Sequence, residues 1–227
     1  MHFAAGNRGV RGLTAVEVLT VVFVLILVAG LILPALSPRH RPKVRCGNNL
    51  KNVGLAMRIF ATDNEGRFPF ELPVANGGTR ELHAFDEPFH TFKALSNEIS
   101  TPKIPFCPQD KQKAEAPDWS NFSDVNLSYF LNISVRSLDS ANRDFVTVNR
   151  GGELPTDWVA GDRNLVANNV RVPSGRYVLR KSDPVKFDND IHKLCGNIVR
   201  ADGSVTRASN NQLLSETNHE PYVLLIP

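Results

Sequence analysis

One uncharged segment near the start constrains this chain most. Residues 18–36 contain no charged side chain, and only Thr20, Gly30 and Pro34 dilute the apolar run. As a helix the segment would be about 28 Å long, close to the hydrocarbon thickness of a bilayer. A buried core helix would show one polar face, and a secretory signal peptide would have a shorter apolar run before its cleavage site. Both stay as alternatives, but the length favours a retained transmembrane helix.

The remainder of the 227 residues is polar but of ordinary globular composition. Hydrophobic residues make up 42% and charged residues 22%, which excludes disorder throughout. The net charge is only +3, which argues against a dedicated nucleic-acid-binding protein. Three cysteines without a Cys-x-x-Cys spacing argue against a disulfide-dense scaffold and against a zinc ribbon.

Glu17 stands at the edge of the apolar segment. A carboxylate that enters hydrocarbon costs a few kcal/mol, so it either reaches the interface or has a partner. Cleavage between Gly12 and Leu13 would create an α-amine on Leu13, one helical turn from Glu17. That amine could neutralise Glu17 of a neighbouring copy, which predicts a role for Glu17 in subunit assembly.

Residues 8–17 read Arg-Gly-Val-Arg-Gly-Leu-Thr-Ala-Val-Glu and precede an apolar helix. This arrangement resembles the type III signal of type IV prepilins and type II secretion pseudopilins. The resemblance implies that a prepilin peptidase cuts after Gly12 and methylates the new amino group of Leu13. Pro34 matches the proline that kinks pilin helices. Leu13 replaces the usual Phe and keeps its apolar character.

The same resemblance implies a location and a set of partners. The chain would cross the bacterial cytoplasmic (inner) membrane once, with a cytoplasmic N-terminus and a periplasmic head, although the basic residues flanking the apolar segment favour the opposite orientation. Its partners would be the prepilin peptidase, homologous pilin or pseudopilin subunits, the inner-membrane secretion or assembly machinery and the lipid bilayer. No nucleic acid is expected.

Local patterns organise the rest of the chain. Prolines at 34, 38 and 42 are expected to interrupt the helix, and apolar residues at 46, 50, 53, 57 and 60 then predict a second helix with a core-facing stripe. The expected divisions are a leader over 1–12, a transmembrane helix over 13–36, a linker over 37–45 and a head domain over 46–227.

Strand patterns follow. Residues 125–135 alternate apolar and mostly polar side chains, which predicts a strand with one wet face. Shorter strands are predicted near 144–148, 158–161, 170–172, 177–179 and 222–226, a short helix near 211–216, and a hairpin around Asp202-Gly203. The expected fold is α+β and pilin-like, with an N-terminal transmembrane helix as a proline-interrupted spine, packed on a mostly antiparallel sheet.

Further motifs resemble a bacterial subgroup of prepilin-like proteins, frequent in Planctomycetes and Verrucomicrobia. They are a Cys-x-x-Asn-Leu-Lys helix from Cys46, a Cys-Pro-x-Asp element from Cys107, and a C-terminal H-x9-DG element formed by His192, Asp202 and Gly203. Cys46 and Cys107 match the paired cysteines of that subgroup, which implies a disulfide in an extracytoplasmic head. Buried reduced cysteines, or a pairing with Cys195, remain alternatives.

The chemistry of these residues favours assembly over catalysis. His192 and Asp202 could serve as a base and its orienting group, but no nucleophile motif accompanies them, so a structural role for His192 is expected. Asp162, Asp188 and Asp190 offer oxygens of the kind calcium prefers, without the spacing of an EF-hand, and no other cofactor is implied.

These observations predict a non-enzymatic, prepilin-like subunit of a type II secretion pseudopilus or of a type IV pilus-like filament. The alternative is a membrane-tethered extracytoplasmic enzyme or ligand-binding domain that carries the same leader.

Overall fold

The computed structural model describes residues 14–36, 42–135, 158–180, 183–211, 213 and 221–227. The chain divides into two compact units, residues 1–40 and 41–227. The leader, Gly12, Leu13 and the predicted strand over 144–148 lie outside the described residues, as does most of the predicted helix over 211–216.

The first unit contains helix α1, Ala15–Leu36. Thr14 and Glu17 form a capping box at its start: Oε2 of Glu17 accepts from the Thr14 N–H at 2.7 Å, and Oγ1 of Thr14 accepts from the Glu17 N–H at 3.4 Å. The large apolar side chains between Val16 and Val28 are 44% to 70% exposed. The helix thus has a fixed beginning and an uncovered apolar surface in the single chain.

The predicted transmembrane helix over residues 13–36 is wrong. Among the described residues, no helix is both long enough and apolar enough to cross a bilayer. The pilin-like spine and the single-pass inner-membrane location depended on that helix, and they are corrected with it.

In the second unit, the chain begins with helix α2, Pro42–Asp63. Proline is favourable at its first position because that residue has no intrahelical hydrogen bond to donate. The apolar stripe from Cys46 to Phe60 is buried, which confirms the predicted core-facing side. The N–H groups of Asn64 and Gly66 both donate to the carbonyl of Ala61 and close the helix.

Short helices connect α2 to the strands. Helix α3 spans Phe89–Ala94, and four 3-10 helices span Pro69–Glu71, Val74–Asn76, Arg80–Phe85 and Asp124–Asn126. Val125 lies in the last of these and is exposed, so the predicted strand does not begin there.

The described strands form two antiparallel sheets. The larger has the order β5-β9-β1-β2-β7-β8, and the smaller has the order β4-β3-β6. Their bounds are β1 Tyr129–Asn132, β2 Trp158–Asp162, β3 Leu165–Ala167, β4 Val170–Arg171, β5 Gly175–Leu179, β6 Val185–Phe187, β7 Cys195–Arg200, β8 Val205–Ser209 and β9 Tyr222–Ile226. The antiparallel α+β architecture is as predicted.

Both faces of the large sheet are covered at β1. On β1, Tyr129 and Leu131 belong to the core cluster shared with α2, whereas Phe130 belongs to the cluster shared with the small sheet. All four residues of β1 are buried. The predicted wet face is therefore wrong, because a second layer covers it.

The predicted hairpin is confirmed between β7 and β8. Gly203 has φ +80°, and the backbones of Arg200 and Ser204 pair across the turn. Arg58 on α2 donates to the carbonyl of Asp202 at 2.8 Å, which ties the hairpin to the helix.

Candidate functional site

His192 is buried in the loop between β6 and β7, where only 2% of the residue is exposed. Its Nδ1 lies 2.6 Å from Oε1 of Gln109. Its Nε2 lies 3.5 Å from Sγ of Cys107 and 3.3 Å from Oδ2 of Asp162. We call His192, Gln109, Cys107, Cys46 and Asp162 the His192 cluster.

Cys46 and Cys107 form a disulfide, as the sequence led us to expect. Cys46 is on α2, Cys107 follows 61 residues later, and their Cα atoms are 5.0 Å apart. Both residues are fully buried, whereas Cys195 is a half-buried free thiol. The disulfide fixes the 106–110 loop against α2, and Nδ2 of Asn49 adds a hydrogen bond to the carbonyl of Phe106 at 2.8 Å.

Asp162 ends β2 and is fully buried. Its Oδ2 accepts from the backbone N–H of Asn197 at 2.6 Å and from Nδ2 of the same residue at 2.9 Å. Its Oδ1 has no hydrogen-bond partner among the described residues. Burial raises the pKa of Asp162 to about 7, because it penalises the charged carboxylate more than the hydrogen bonds from Asn197 favour it.

A buried ion pair lies beside the cluster. Arg163 Nε is 2.7 Å from Oδ2 of Asp110, and Arg163 Nη2 is 2.8 Å from Oδ1 of Asp110. The same Nη2 donates to Oε1 of Gln112 at 3.0 Å. The pair joins the 106–112 loop to the residue that follows Asp162, so both loops that supply cluster residues are held in place.

The hydrogen bond to Gln109 sets the tautomer of His192. An amide oxygen can only accept, so Nδ1 carries the proton. Nε2 then faces the sulfur of Cys107 and the carboxylate of Asp162. An imidazole orientated in this way is suited to hold a proton or an ion at Nε2.

The two ends of the H-x9-DG element have different surroundings. Oδ1 of Asp202 accepts from the N–H of Ser204 within the hairpin turn at 2.8 Å. His192 contacts Gln109, Cys107 and Asp162 instead. These contacts give Asp202 and Gly203 a turn-forming role and give His192 a separate one.

The three predicted calcium residues do not form one group. Asp188 accepts from Nδ2 of Asn164 and from the N–H of Asp190, and Asp190 pairs with Arg171. Asp162 lies in the His192 cluster. Within the described part of the chain, the His, Cys and acidic side chains close enough to share an ion are Cys46, Cys107 and His192.

Sequence reasoning found the cysteines, His192 and Asp162 but missed their partners. Gln109 and Asp110 stand inside the Cys-Pro-x-Asp element and Arg163 follows Asp162, yet nothing in the sequence shows which of them meet. Asn197 is 35 residues from Asp162, and only the pairing of β2 with β7 brings the two together. Pro34 lies within α1.

No protein-family model, curated protein or solved structure matches this chain.

Proposed function

We propose that this chain is a prepilin-like assembly subunit that associates with copies of itself or with homologous subunits and does not act as an enzyme. Residues 1–12 are removed after Gly12 by a prepilin peptidase, and Leu13 becomes the methylated N-terminus. The product belongs to a type II secretion pseudopilus or to a type IV pilus-like filament.

The exposed apolar surface of α1 carries this proposal. Eleven large apolar residues between Val16 and Val28 are each at least 44% exposed. Monomeric proteins rarely expose so much contiguous apolar surface, and its burial releases about 25 cal/mol per Å². Packing of α1 against the same helix in neighbouring copies would bury it.

Glu17 supplies the specificity of that packing. Its hydrogen bonds from Thr14 lower the pKa of its carboxyl, so it is ionised at neutral pH. A charge at the edge of a packed apolar bundle needs a counter-charge. Cleavage after Gly12 provides one, because the α-amine of Leu13 in an adjacent copy is then available to Glu17.

Two variants separate the charge of Glu17 from its capping contact. Glu17→Gln keeps an acceptor oxygen for the Thr14 N–H but loses the charge, whereas Thr14→Ala loses the hydroxyl and keeps the charge. We expect Glu17→Gln to lower the sedimentable, assembled fraction at least tenfold in cells with a prepilin peptidase, and Thr14→Ala to lower it much less. An assembled fraction of Glu17→Gln equal to that of the wild type would contradict the proposal.

A second pair of variants tests the apolar surface. Leu25→Asp puts a charge on α1, where Leu25 is 61% exposed. Leu194→Asp is the matched control on the head, since Leu194 is 50% exposed and its φ of +62° suits Asp. Only Leu25→Asp should abolish assembly. The head domain should unfold at the wild-type temperature in both variants. Equal assembly of both variants would contradict a role for α1.

A further inference from the structure

The His192 cluster brings together the ligand types of a closed zinc site. The sulfurs of Cys46 and Cys107 and a ring nitrogen of His192 all lie within 4.8 Å of one another, and all three residues are buried. Thiolate, imidazole and carboxylate are the ligands that Zn²⁺ takes in proteins, usually four in a tetrahedron. Asp162 places a carboxylate oxygen beside the same nitrogen.

Two of the distances match tetrahedral coordination. Bond lengths of about 2.3 Å to sulfur and about 2.0 Å to nitrogen or oxygen place sulfur about 3.5 Å from nitrogen, and nitrogen about 3.3 Å from oxygen. His192 Nε2 lies 3.5 Å from Sγ of Cys107 and 3.3 Å from Oδ2 of Asp162. The two sulfurs, which are bonded to each other in the disulfide, would have to separate, and Asp162, which lies outside the group of three within 4.8 Å, would have to approach them.

The hydrogen bond to His192 and the burial of Asp162 are also typical of a metal site. Gln109 accepts the Nδ1 proton of His192, which leaves Nε2 as the coordinating nitrogen, and such partners orient histidine ligands in metalloproteins. Asp162 is fully buried, and its Oδ1 has no hydrogen-bond partner among the described residues. Oδ2, the oxygen 3.3 Å from Nε2, already accepts from Asn197, so it is the other oxygen of the same carboxylate that has no donor. A cation or a proton bound by this carboxylate would relieve the burial of that oxygen.

We propose that, when the Cys46–Cys107 disulfide is reduced, Cys46, Cys107, His192 and Asp162 bind one Zn²⁺ ion. The metal and the disulfide are alternative cross-links at one place in the fold. This site is independent of the assembly function proposed above, since no residue of α1 takes part in it.

The exchange between the two states balances with a dithiol as the reductant. The dithiol gives two electrons and two protons to the disulfide and leaves as its own disulfide, while Cys46 and Cys107 become thiols. Zn²⁺ then replaces the two thiol protons, which pass to solvent. The disulfide form of the dithiol reverses the exchange: it takes two electrons from the thiolates of Cys46 and Cys107 and two protons from solvent, and Zn²⁺ is released because the sulfurs, once bonded to each other, carry no thiolate charge.

The binding test uses Co²⁺ as a spectroscopic probe and Zn²⁺ as its competitor. The full chain is reduced with a phosphine, which does not compete for metal as a dithiol would, and titrated in the absence of oxygen. We expect one Co²⁺ per chain, a thiolate-to-cobalt charge-transfer band, intense visible bands typical of a tetrahedral site, and displacement by one Zn²⁺. The oxidised chain should show none of these, and Cys195→Ser should behave as the wild type.

Ligand variants assign the site. His192→Gln and Asp162→Asn should each weaken Zn²⁺ binding at least 100-fold, and Gln109→Leu should weaken it 10–100-fold because it acts through the orientation of His192. Circular dichroism of the oxidised variants shows whether each still folds. If the reduced chain unfolds without metal, recovery of its spectrum on addition of Zn²⁺ supports the site.

Three results would overturn the proposal. They are a reduced chain that binds no Co²⁺, cobalt bands that persist unchanged in His192→Gln, and equal binding by the oxidised chain. Undiminished affinity in a folded Asp162→Asn variant would remove Asp162 from the ligand set and overturn the four-ligand site.

Discussion

Arg163 and Asp110 form a bidentate ion pair in the protein interior, with Nε 2.7 Å from Oδ2 and Nη2 2.8 Å from Oδ1. Their side chains are only 6% and 1% exposed. The pair links the loop that carries Cys107 and Gln109 to the end of β2, which carries Asp162. It therefore holds the parts of the His192 cluster together from one side.

Removal of one partner of this pair should be costly. Asp110→Ala leaves the guanidinium of Arg163 buried without its counter-charge, and we expect the free energy of unfolding to fall by about 3–5 kcal/mol. Urea denaturation measures the change. Glu115→Ala is the control, because the Arg45–Glu115 pair is exposed and should contribute less than about 1 kcal/mol. Equal effects of the two variants would contradict the structural role of the buried pair.

The disulfide should contribute strongly to stability in the oxidised chain. It closes a loop of 61 residues, for which loss of unfolded-chain entropy predicts about 4 kcal/mol. Cys46→Ser/Cys107→Ser should lower the free energy of unfolding by about this amount in metal-free buffer, while Cys195→Ser should change it little. A double variant as stable as the oxidised wild type would show that the cross-link is energetically unimportant.

Asp162 should make stability depend on pH. Its pKa in the folded protein is raised to about 7 from 3.8, so the folded state holds a proton that the unfolded state has lost. The stabilisation is complete below about pH 4 and is lost as the pH rises through 7. Relative to Asp162→Asn, the free energy of unfolding of the wild type should fall by about 2–4 kcal/mol between about pH 4 and about pH 7. The titratable and charged neighbours of Asp162 include His192, Asp110, Arg207 and Tyr129.

The measurement is urea denaturation of both proteins at several pH values in metal-free buffer. The difference between their free energies of unfolding isolates Asp162 from other titrating groups. A constant difference from pH 4 to pH 8 would contradict the raised pKa of Asp162.

Two glycines should respond to alanine with opposite signs. A Cβ atom on Gly161 in β2 would lie 2.7 Å from Cε1 of Phe130, so Gly161→Ala should destabilise the fold by about 1–3 kcal/mol. On Gly47 in α2 the nearest atom is 3.6 Å away, at Oδ1 of Asn197. Gly47→Ala should therefore stabilise the helix by about 0.5–1 kcal/mol. The midpoint temperature of thermal unfolding should fall in Gly161→Ala and rise in Gly47→Ala. Shifts of the same sign in the two variants would contradict the packing of β2.

Local features of the fold were predictable from the sequence. The stripe on α2 repeats with the helical period, and the Asp202-Gly203 turn depends on a glycine with positive φ, so each is encoded within a few residues. The wet face predicted along residues 125–135 failed because the second layer that covers Phe130 comes from strands later in the chain. The transmembrane prediction for 13–36 was wrong, because no helix among the described residues combines the length and the apolarity that a bilayer span requires.

The site was predictable only in part. Cys46, Cys107 and His192 are recognisable as residue types, and the resemblance to prepilin-like proteins pairs the cysteines. The contacts that give them chemistry join residues far apart in the chain: His192 meets Gln109 across 83 residues, and Arg163 meets Asp110 across 53. Such contacts follow from strand pairing and loop packing, which no local pattern encodes.

The most direct test of the assembly account is the intact mass of the chain recovered from cells that contain a prepilin peptidase. The account predicts a chain that begins at Leu13 and carries one added methyl group, with residues 1–12 absent. A chain that still begins at Met1, in cells where a control prepilin is processed, would contradict it.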